Sequence, residues 1–460
     1  MRSIRIATFI IPLFLCLFLF CACNKHHTGH KAAAEEAVTL SITSPAGNVI
    51  ITEGQSINFA SAVSGGTGPY TYQWNFGGGP PNSNEQDPGF VTFNSPGTYT
   101  VTLMVKDSKD ATSSETRIIS VRSPAKTEGL IVSAGVDHSL AVKPDGTLWA
   151  WGYNLSGQLG DGTWSNRNTP IQIGTDTDWV AVSAGDTFSL ALKSDGTLWG
   201  WGSNASGTGS VSIINTPVQI GSERDWDIMS AGSGFVLALK TDGTLWAWGG
   251  NSSTPIQVGS DNNWTMVSAG VEHNAALKSD GTLWEWGLIY NPQYGDFPHV
   301  ADDTPVQVGS DRDWIAVSTS GDHTLAIKSD RSLWAWGNNG YGQLGDNTTI
   351  SKYSPTPIGT TTGWIAVCAA NDFSIALKSD GTLWAWGNNY YGQLGDGTTK
   401  DKMTPIQVGS DKDWAMVHAS YKHTIALKTD SSIWTWGANW EGQLGNGKNA
   451  DRDVPGKINF

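Results

Sequence analysis

The sequence predicts an all-β chain: a seven-bladed β-propeller preceded by a small β-sandwich. Three observations carry that expectation. Trp-x-Trp-Gly occurs seven times, beginning at Trp149, Trp199, Trp246, Trp284, Trp334, Trp384 and Trp434, at steps of 50, 47, 38, 50, 50 and 50 residues. Six of these copies follow a lone tryptophan, at Trp179, Trp226, Trp264, Trp314, Trp364 and Trp414, that opens a Val-Ser-Ala-Gly-like run. The 460 residues include 55 glycines and are 10% aromatic, a balance that suits short strands joined by many tight turns.

In chain order, the first segment reads as an export signal. Arg2 and Arg5 precede an apolar run over residues 9–20, too short to span a membrane with ordinary flanks. The run ends in Phe20-Cys21-Ala22-Cys23, which resembles a bacterial lipobox. That resemblance implies a signal peptide over 1–22 and Cys23 as the acylated first residue of a membrane-anchored lipoprotein. Asn24 follows the cysteine where an inner-membrane retention signal would have Asp, so an outer-membrane or cell-surface location is expected. Cys16 and Cys21 leave with the signal, and Cys368 then remains without a disulfide partner. Residues 23–37 read as a polar tether. His26, His27 and His30 have no acidic or cysteine partner at ligand spacing, so no metal is expected there.

Residues 38–123 form a separate unit. The runs Ser56-Ile-Asn-Phe59, Tyr70-Thr-Tyr-Gln-Trp74 and Thr98-Tyr-Thr-Val-Thr-Leu-Met-Val105 alternate as sandwich strands do. Trp74-Asn-Phe-Gly77 followed by Pro96-Gly-Thr-Tyr-Thr-Val101 resembles the polycystic-kidney-disease (PKD) type of immunoglobulin-like domain. Its usual Trp-Asp-Phe-Gly-Asp-Gly reads Trp-Asn-Phe-Gly-Gly-Gly here. The obvious cation-binding acids are thus gone, and no ion site is expected. The resemblance implies a spacer or weak binder with Trp74 in its core. Residues 124–128 read as a linker.

From 129 to 460 each repeat carries four strand signals. In the second repeat Val182-Ser-Ala-Gly185 is small enough for the crowded axis, and Ser189-Leu-Ala-Leu-Lys193 turns at Asp195-Gly196 into Thr197-Leu-Trp-Gly-Trp201. Thr216-Pro-Val-Gln-Ile220 leads with a proline, as an outer edge strand tolerates. The first repeat has Gly129 where others have Trp, and the last ends in Val454-Pro-Gly-Lys-Ile-Asn-Phe460. Each blade can thus be contiguous, with blade one packed on blade seven. A strand exchanged between the termini is the alternative.

Ala134-Gly135-Val-Asp-His138, Trp151-Gly-Tyr-Asn-Leu-Ser-Gly157-Gln-Leu-Gly160 and Thr169-Pro170 resemble the repeats of the regulator of chromosome condensation (RCC1) family. The resemblance implies seven-bladed propellers, in agreement with the count of repeats. The family's nucleotide exchange on a small nuclear GTPase is not implied for this chain, which is acidic and carries an export signal. Its net charge of −14 also argues against binding a phosphate backbone.

Alternating strands put two sets of loops on opposite faces. One face is uniform: Asp145, Asp195, Asp242, Asp280, Asp330, Asp380 and Asp430 each open a tight turn, which is a structural role. The other varies. Gly-Gln-Leu-Gly is intact at Gly157, Gly342, Gly392 and Gly442 and missing from blades two to four. Blade four has Tyr290, Tyr294 and Phe297 in that loop, and Trp164, Tyr341, Tyr390, Tyr391 and Trp440 sit in others. Near the axis the same face is expected to present Asp137, Asp186, Glu272, Asp322 and Asp372, with Tyr421 and Lys422 in blade seven. Loops on a rigid scaffold are where binding concentrates.

No catalytic residue is expected. His138, His273, His323 and His423 share a repeat position with Phe188, Phe235 and Phe373, so packing explains it better than ligation or catalysis. No phosphate loop, zinc spacing or nucleophile elbow is present. The expectation is a monomeric, non-enzymatic surface lipoprotein that needs no cofactor and binds no nucleic acid. Its variable face engages a protein partner, or alternatively a glycan.

Overall fold

The computed structural model describes residues 37–52, 56–95, 97–122, 131–203, 213–249, 252–271, 273–288 and 301–460. The signal segment, Cys23, the tether up to residue 36 and the 124–128 linker lie outside them. So do Glu272, Tyr290, Tyr294 and Phe297.

Residues 39–122 form the sandwich. Thr39–Ser44, Ser56–Ser64 and Gly89–Thr92 make a three-stranded sheet. Val49–Thr52, Thr112–Arg122, Gly97–Lys106 and Thr71–Asn75 make a four-stranded one, in that order. Alternation along each strand sends Phe59, Trp74, Val101 and Leu103 inward to zero exposure. Trp74 stacks on Phe76 with ring centroids 6.1 Å apart and gives its Nε1–H to the Glu85 carbonyl at 3.1 Å. It is therefore a core residue with its polar atom satisfied.

Beyond the linker, seven sheets of four strands follow one another, each contiguous in sequence and each antiparallel from its first strand to its fourth. Blade two is representative: Trp179–Ala184, Phe188–Lys193, Leu198–Gly202 and Ile214–Gln219. The first strands of neighbouring blades touch around the axis, and that of blade seven (Trp414–Ser420) touches that of blade one (Ile131–Ala134). Packing closes the ring, and no strand is exchanged between the termini.

The Val-Ser-Ala-Gly run owes its serine to a ladder around the axis. Ser133 Oγ accepts the Ala184 N–H at 3.0 Å, Ser183 that of Ala231 at 2.9 Å, Ser230 that of Ala269 at 2.9 Å and Ser268 that of Thr319 at 2.9 Å. Ser318 accepts the Ala369 N–H at 3.0 Å. In blade six Cys368 Sγ takes the place of the hydroxyl, accepting the Ala419 N–H at 3.2 Å, and burial pushes its thiol up to about 11. His418 Nδ1 closes the ladder by accepting the Ala134 N–H at 3.0 Å. Innermost strands have no neighbouring strand of their own sheet on the axial side. These side chains occupy donors that would otherwise be buried and unpaired.

Within a blade the lone tryptophan packs on the first ring of Trp-x-Trp. The lone Trp179 meets Trp199 edge to face at 5.7 Å, a geometry contributing about 1 kcal/mol beyond area burial. Lys193 Nζ lies 4.7 and 4.9 Å from the two rings and pairs with Asp176 at 2.6 Å and Asp178 at 3.0 Å. The acids between fourth strand and lone tryptophan thus hold a lysine over the aromatic pair. The glycine of Trp-x-Trp-Gly bulges the third strand. Gly152 has φ 104°, and a Cβ there would sit 2.5 Å from the Asp137 carbonyl, so the motif admits no side chain at that point.

Candidate binding face

The variable face is built by two loops per blade, and the Gly-Gln-Leu-Gly loop is a scaffold before it is a surface. Asn154 Nδ2 donates to Asp161 Oδ1 at 3.0 Å and to the Thr163 carbonyl at 3.1 Å, while its Oδ1 accepts the Leu159 N–H at 3.0 Å. The folded loop points the Gln158 carbonyl into blade two, where it accepts Trp201 Nε1–H at 2.8 Å and Ser189 Oγ–H at 2.7 Å. Gln343 and Gln393 serve blades six and seven, and Gln443 serves blade one, taking Trp386, Trp436 and Trp151 at 2.8, 2.9 and 2.9 Å. The signature therefore ties each blade to the next.

Blades two to four lack it, and blade four replaces it chemically. Glu285, 3% exposed, accepts Thr324 Oγ1–H at 2.8 Å and Trp336 Nε1–H at 3.1 Å, the two donors that a glutamine carbonyl takes elsewhere. Burial raises its carboxyl to about 7, against the opposing effect of those two donated bonds. Sequence reasoning missed Glu285. The signal was available: the residue inside Trp-x-Trp is Ala, Gly or Thr in every other blade. By contrast Trp248 Nε1, in blade three, has no partner among the described residues.

Around the axis the acids share one field. Asp137 is half-buried, and its carboxyl is raised by burial, with Lys422 pulling it down and Glu441 adding to the rise. It also accepts Gln443 Nε2–H at 3.2 Å across the blade-seven seam. Asp186 reaches about 6 through burial, opposed by a hydrogen bond from Ser233 Oγ and reinforced by Asp137. Asp372 is raised by burial, with Asn371 opposing and Asp322 reinforcing. Asp322 itself is exposed.

The structure brings a second group together. Tyr391 meets Trp440 at 5.0 Å and Tyr390 at 4.8 Å, both edge to face, and Lys422 Nζ lies 5.0 Å from the Trp440 ring. They border a cleft of about 640 Å³ across blades five to seven, lined by Tyr341, Asp372, Lys400, Asp401, Tyr421 and Lys422 among others. Tyr390 is 72% and Tyr341 45% exposed. Asp372, Tyr421, Lys422 and Trp440 therefore converge, whereas Asp137 and Asp186 lie closer to the blade-one seam. Trp164, 46% exposed in blade one, does not line the cleft. Lys400 and Asp401 were missed: Asp401 holds the repeat position of Asn166, Ser351 and Asp451, and its Oδ1 accepts the Asn389 N–H at 2.8 Å.

The repeat histidines are walled in. His138, His323 and His423 are fully buried and held at about 3 by desolvation, so each is neutral.

Comparison with known proteins agrees with this architecture. The RCC1-like domain model matches residues 250–460, and RCC1 repeat models match 145–192 and the segments 131–158, 179–208 and 228–253. The PKD domain model matches 42–122. Among solved structures, human WBSCR16 is similar at 21% identity over 68% of this chain and 95% of its own, with TM-score 0.61. Prp20p from Saccharomyces cerevisiae, described with its binding to Gsp1p and histones, is similar at 20% identity over 68% of this chain and 85% of its own, with TM-score 0.60. Yeast RCC1 (Prp20) in complex with Kap60 gives 20% identity over 68% and 83%, with TM-score 0.60. At these identities the likeness speaks for the fold.

Proposed function

We infer the function of this chain from its place among the RCC1-repeat propellers, to which it belongs, with a PKD domain ahead of the blades. It is a non-enzymatic binding protein, held at the bacterial surface by a lipid on Cys23, whose loop face engages a protein partner. Prp20, a propeller of this architecture, is described as binding Gsp1p and histones and in complex with Kap60, which supports a protein-binding reading, although at 20% identity its partners do not transfer. The observation that carries the reading is the exposed Tyr341 and Tyr390 beside the Tyr391–Trp440–Lys422 cluster. Rigid aromatic side chains gathered at a cleft are what interface hot spots are made of.

A second reading, a glycan ligand, draws on the same cleft. Asp372 and Asp401 balance Lys400 and Lys422, and tyrosine rings beside polar groups suit a neutral, hydroxyl-rich ring. Surface proteins captured by the full chain, compared with those captured by a Tyr341→Ala/Tyr390→Ala variant, test the first reading. A glycan array probed with the same two proteins tests the second. Protein capture unaffected by the variant would remove the cleft over blades five to seven from consideration.

A further inference from the structure

The repeats act as one another's controls, and blade seven departs from them at one corner. In blades one, five and six the loop after Gly-Gln-Leu-Gly carries an aspartate that holds a cation from the start of the fourth strand. Arg167 Nη2 lies 2.7 Å from Asp161 Oδ2, Lys352 Nζ 3.1 Å from Asp346 Oδ2 and Lys402 Nζ 2.8 Å from Asp396 Oδ2. The other oxygen of each aspartate takes the loop asparagine's Nδ2 at 3.0 Å.

In blade seven the aspartate is Asn446. Its Oδ1 keeps the inner bonds, accepting Asn439 Nδ2 at 3.2 Å and the Lys448 N–H at 3.0 Å. Those two donors fix which atom is oxygen. The atom facing outward is therefore the amide nitrogen, a donor where the other blades have a carboxylate oxygen. The cation remains, as Arg452. Its Nη1 is buried and has no hydrogen-bond partner among the described residues.

Three further replacements converge on the same corner. Lys448 stands where blades one, five and six have Thr163, Thr348 and Thr398, and Lys457 where blades one and six have Gln172 and Gln407. Gly456 stands where those strands have Ile171 and Ile406, and the Arg452 guanidinium lies across it; a Cβ at 456 would fall 1.3 Å from Nη1. The result is a pocket of about 320 Å³ between this corner and Thr169 of blade one, and every charged side chain lining it is a cation. The adjacent Asp451 is turned the other way, its Oδ1 accepting the Asn439 N–H at 2.8 Å. Asp430 is the acid in the field of Lys457, and it opens the hairpin turn between the second and third strands of the blade.

We propose that this pocket binds a compact oxyanion, sulfate or phosphate, through Arg452, Lys448, Lys457 and the Asn446 amide. A guanidinium offers two parallel donors that match such an anion. A buried donor left unpaired gains most from one. The site is separate from the aromatic cleft and does not depend on the partner read for that face.

Calorimetric titration of the full chain with sodium sulfate and with sodium phosphate, at ionic strength held constant by chloride, tests the proposal. Saturable one-to-one binding is expected. Asn446→Asp restores the ion pair that blades one, five and six already make, so it keeps or raises Tm while lowering affinity roughly tenfold or more, since a carboxylate then competes for Arg452. Lys457→Gln weakens binding by a smaller factor. Preference for one anion identifies whether a sulfate or a phosphoryl group is the natural ligand. Absence of saturable binding to either anion, or equal affinity in the folded Asn446→Asp variant, overturns the proposal.

Discussion

His423 Nε2 lies 3.0 Å from the Ser139 hydroxyl, joining blade seven to blade one across 284 residues of sequence. Ser139 spends its proton on the Gln443 carbonyl at 2.9 Å, so it accepts from the Nε2–H and fixes the tautomer. The same pin joins His138 to Ser189 and His323 to Ser374, each at 2.9 Å. Where the histidine becomes Phe188, the residue it packs with in the next blade is Val236. In these four pairs polar meets polar and apolar meets apolar, whereas Phe235 and Phe373 precede blades that carry Asn274 and Thr424 at the partner position.

Ser139→Val alone leaves the buried Nε2–H without an acceptor and is expected to lower stability by about 1–3 kcal/mol. Adding His423→Phe reproduces the Phe188–Val236 pair and is expected to recover most of that loss. Urea midpoints of the two singles and the double measure it. Additive losses would mean that the pair is not a unit.

Acid sensitivity follows from the same residues. Burial holds His423 at about 3, below its unfolded value near 6.5, so the unfolded chain takes up the proton first. The stability contributed by the neutral ring is complete above about pH 6.5 and is lost as pH falls toward 3. The His423→Phe/Ser139→Val chain should show a shallower acid limb in Tm against pH.

Glu285 has the opposite sign. Its carboxyl stands near 7 in the fold and near 4.5 unfolded, so the native state holds the extra proton between those values. Stability is greatest below about pH 4.5 and declines as pH rises to about 7, by up to roughly 3 kcal/mol. Glu285→Gln keeps an oxygen for Thr324 and Trp336 and should remove that slope. Glu285→Ala orphans both donors and should destabilise at every pH by about 2–4 kcal/mol. Parallel pH profiles for wild type and Glu285→Gln would refute the assignment.

The fold was legible because its signals repeat: a motif seen seven times states its own period, and strand alternation then places both rings of Trp-x-Trp on one face. The site was legible only in part. Position in the repeat placed Asp372, Tyr421 and Lys422 at the axial end of the variable loops, and the structure adds Trp440 beside them at the cleft. Repeat position could not show that Asp137 and Asp186 spend their oxygens on Gln443 and Ser233, because those contacts cross blades. Glu285 stood out inside Trp-x-Trp, but its role was not legible, because its partners lie 39 and 51 residues on.

The proposed lipid anchor on Cys23 is tested apart from the propeller. Cys23→Ser is expected to move the protein from the membrane to the soluble fraction and to abolish palmitate incorporation. Membrane association unchanged by the substitution would refute acylation as the anchor.

The loop face yields the last test, and the structure sharpens how it must be made. Reversing the charge of Asp137 or Asp186 would disturb folding as well as recognition, since both are half-buried and hydrogen-bonded to neighbouring blades. Asp322 is exposed, so Asp322→Lys alters the field of the face with little effect on packing. It should mainly change the association rate and its salt dependence. Tyr341→Ala and Tyr390→Ala remove exposed rings from the cleft and together should weaken partner binding by about 2 kcal/mol or more, with Tm unchanged. Tyr290, Tyr294 and Phe297 form the other aromatic group of this face in sequence, and their combined replacement by alanine provides the comparison. Loss of binding in the first set alone places the partner over blades five to seven. Loss in the second alone places it over blade four. Normal binding in both, with loss on changing the Asp-Gly turns, would put the partner on the opposite face.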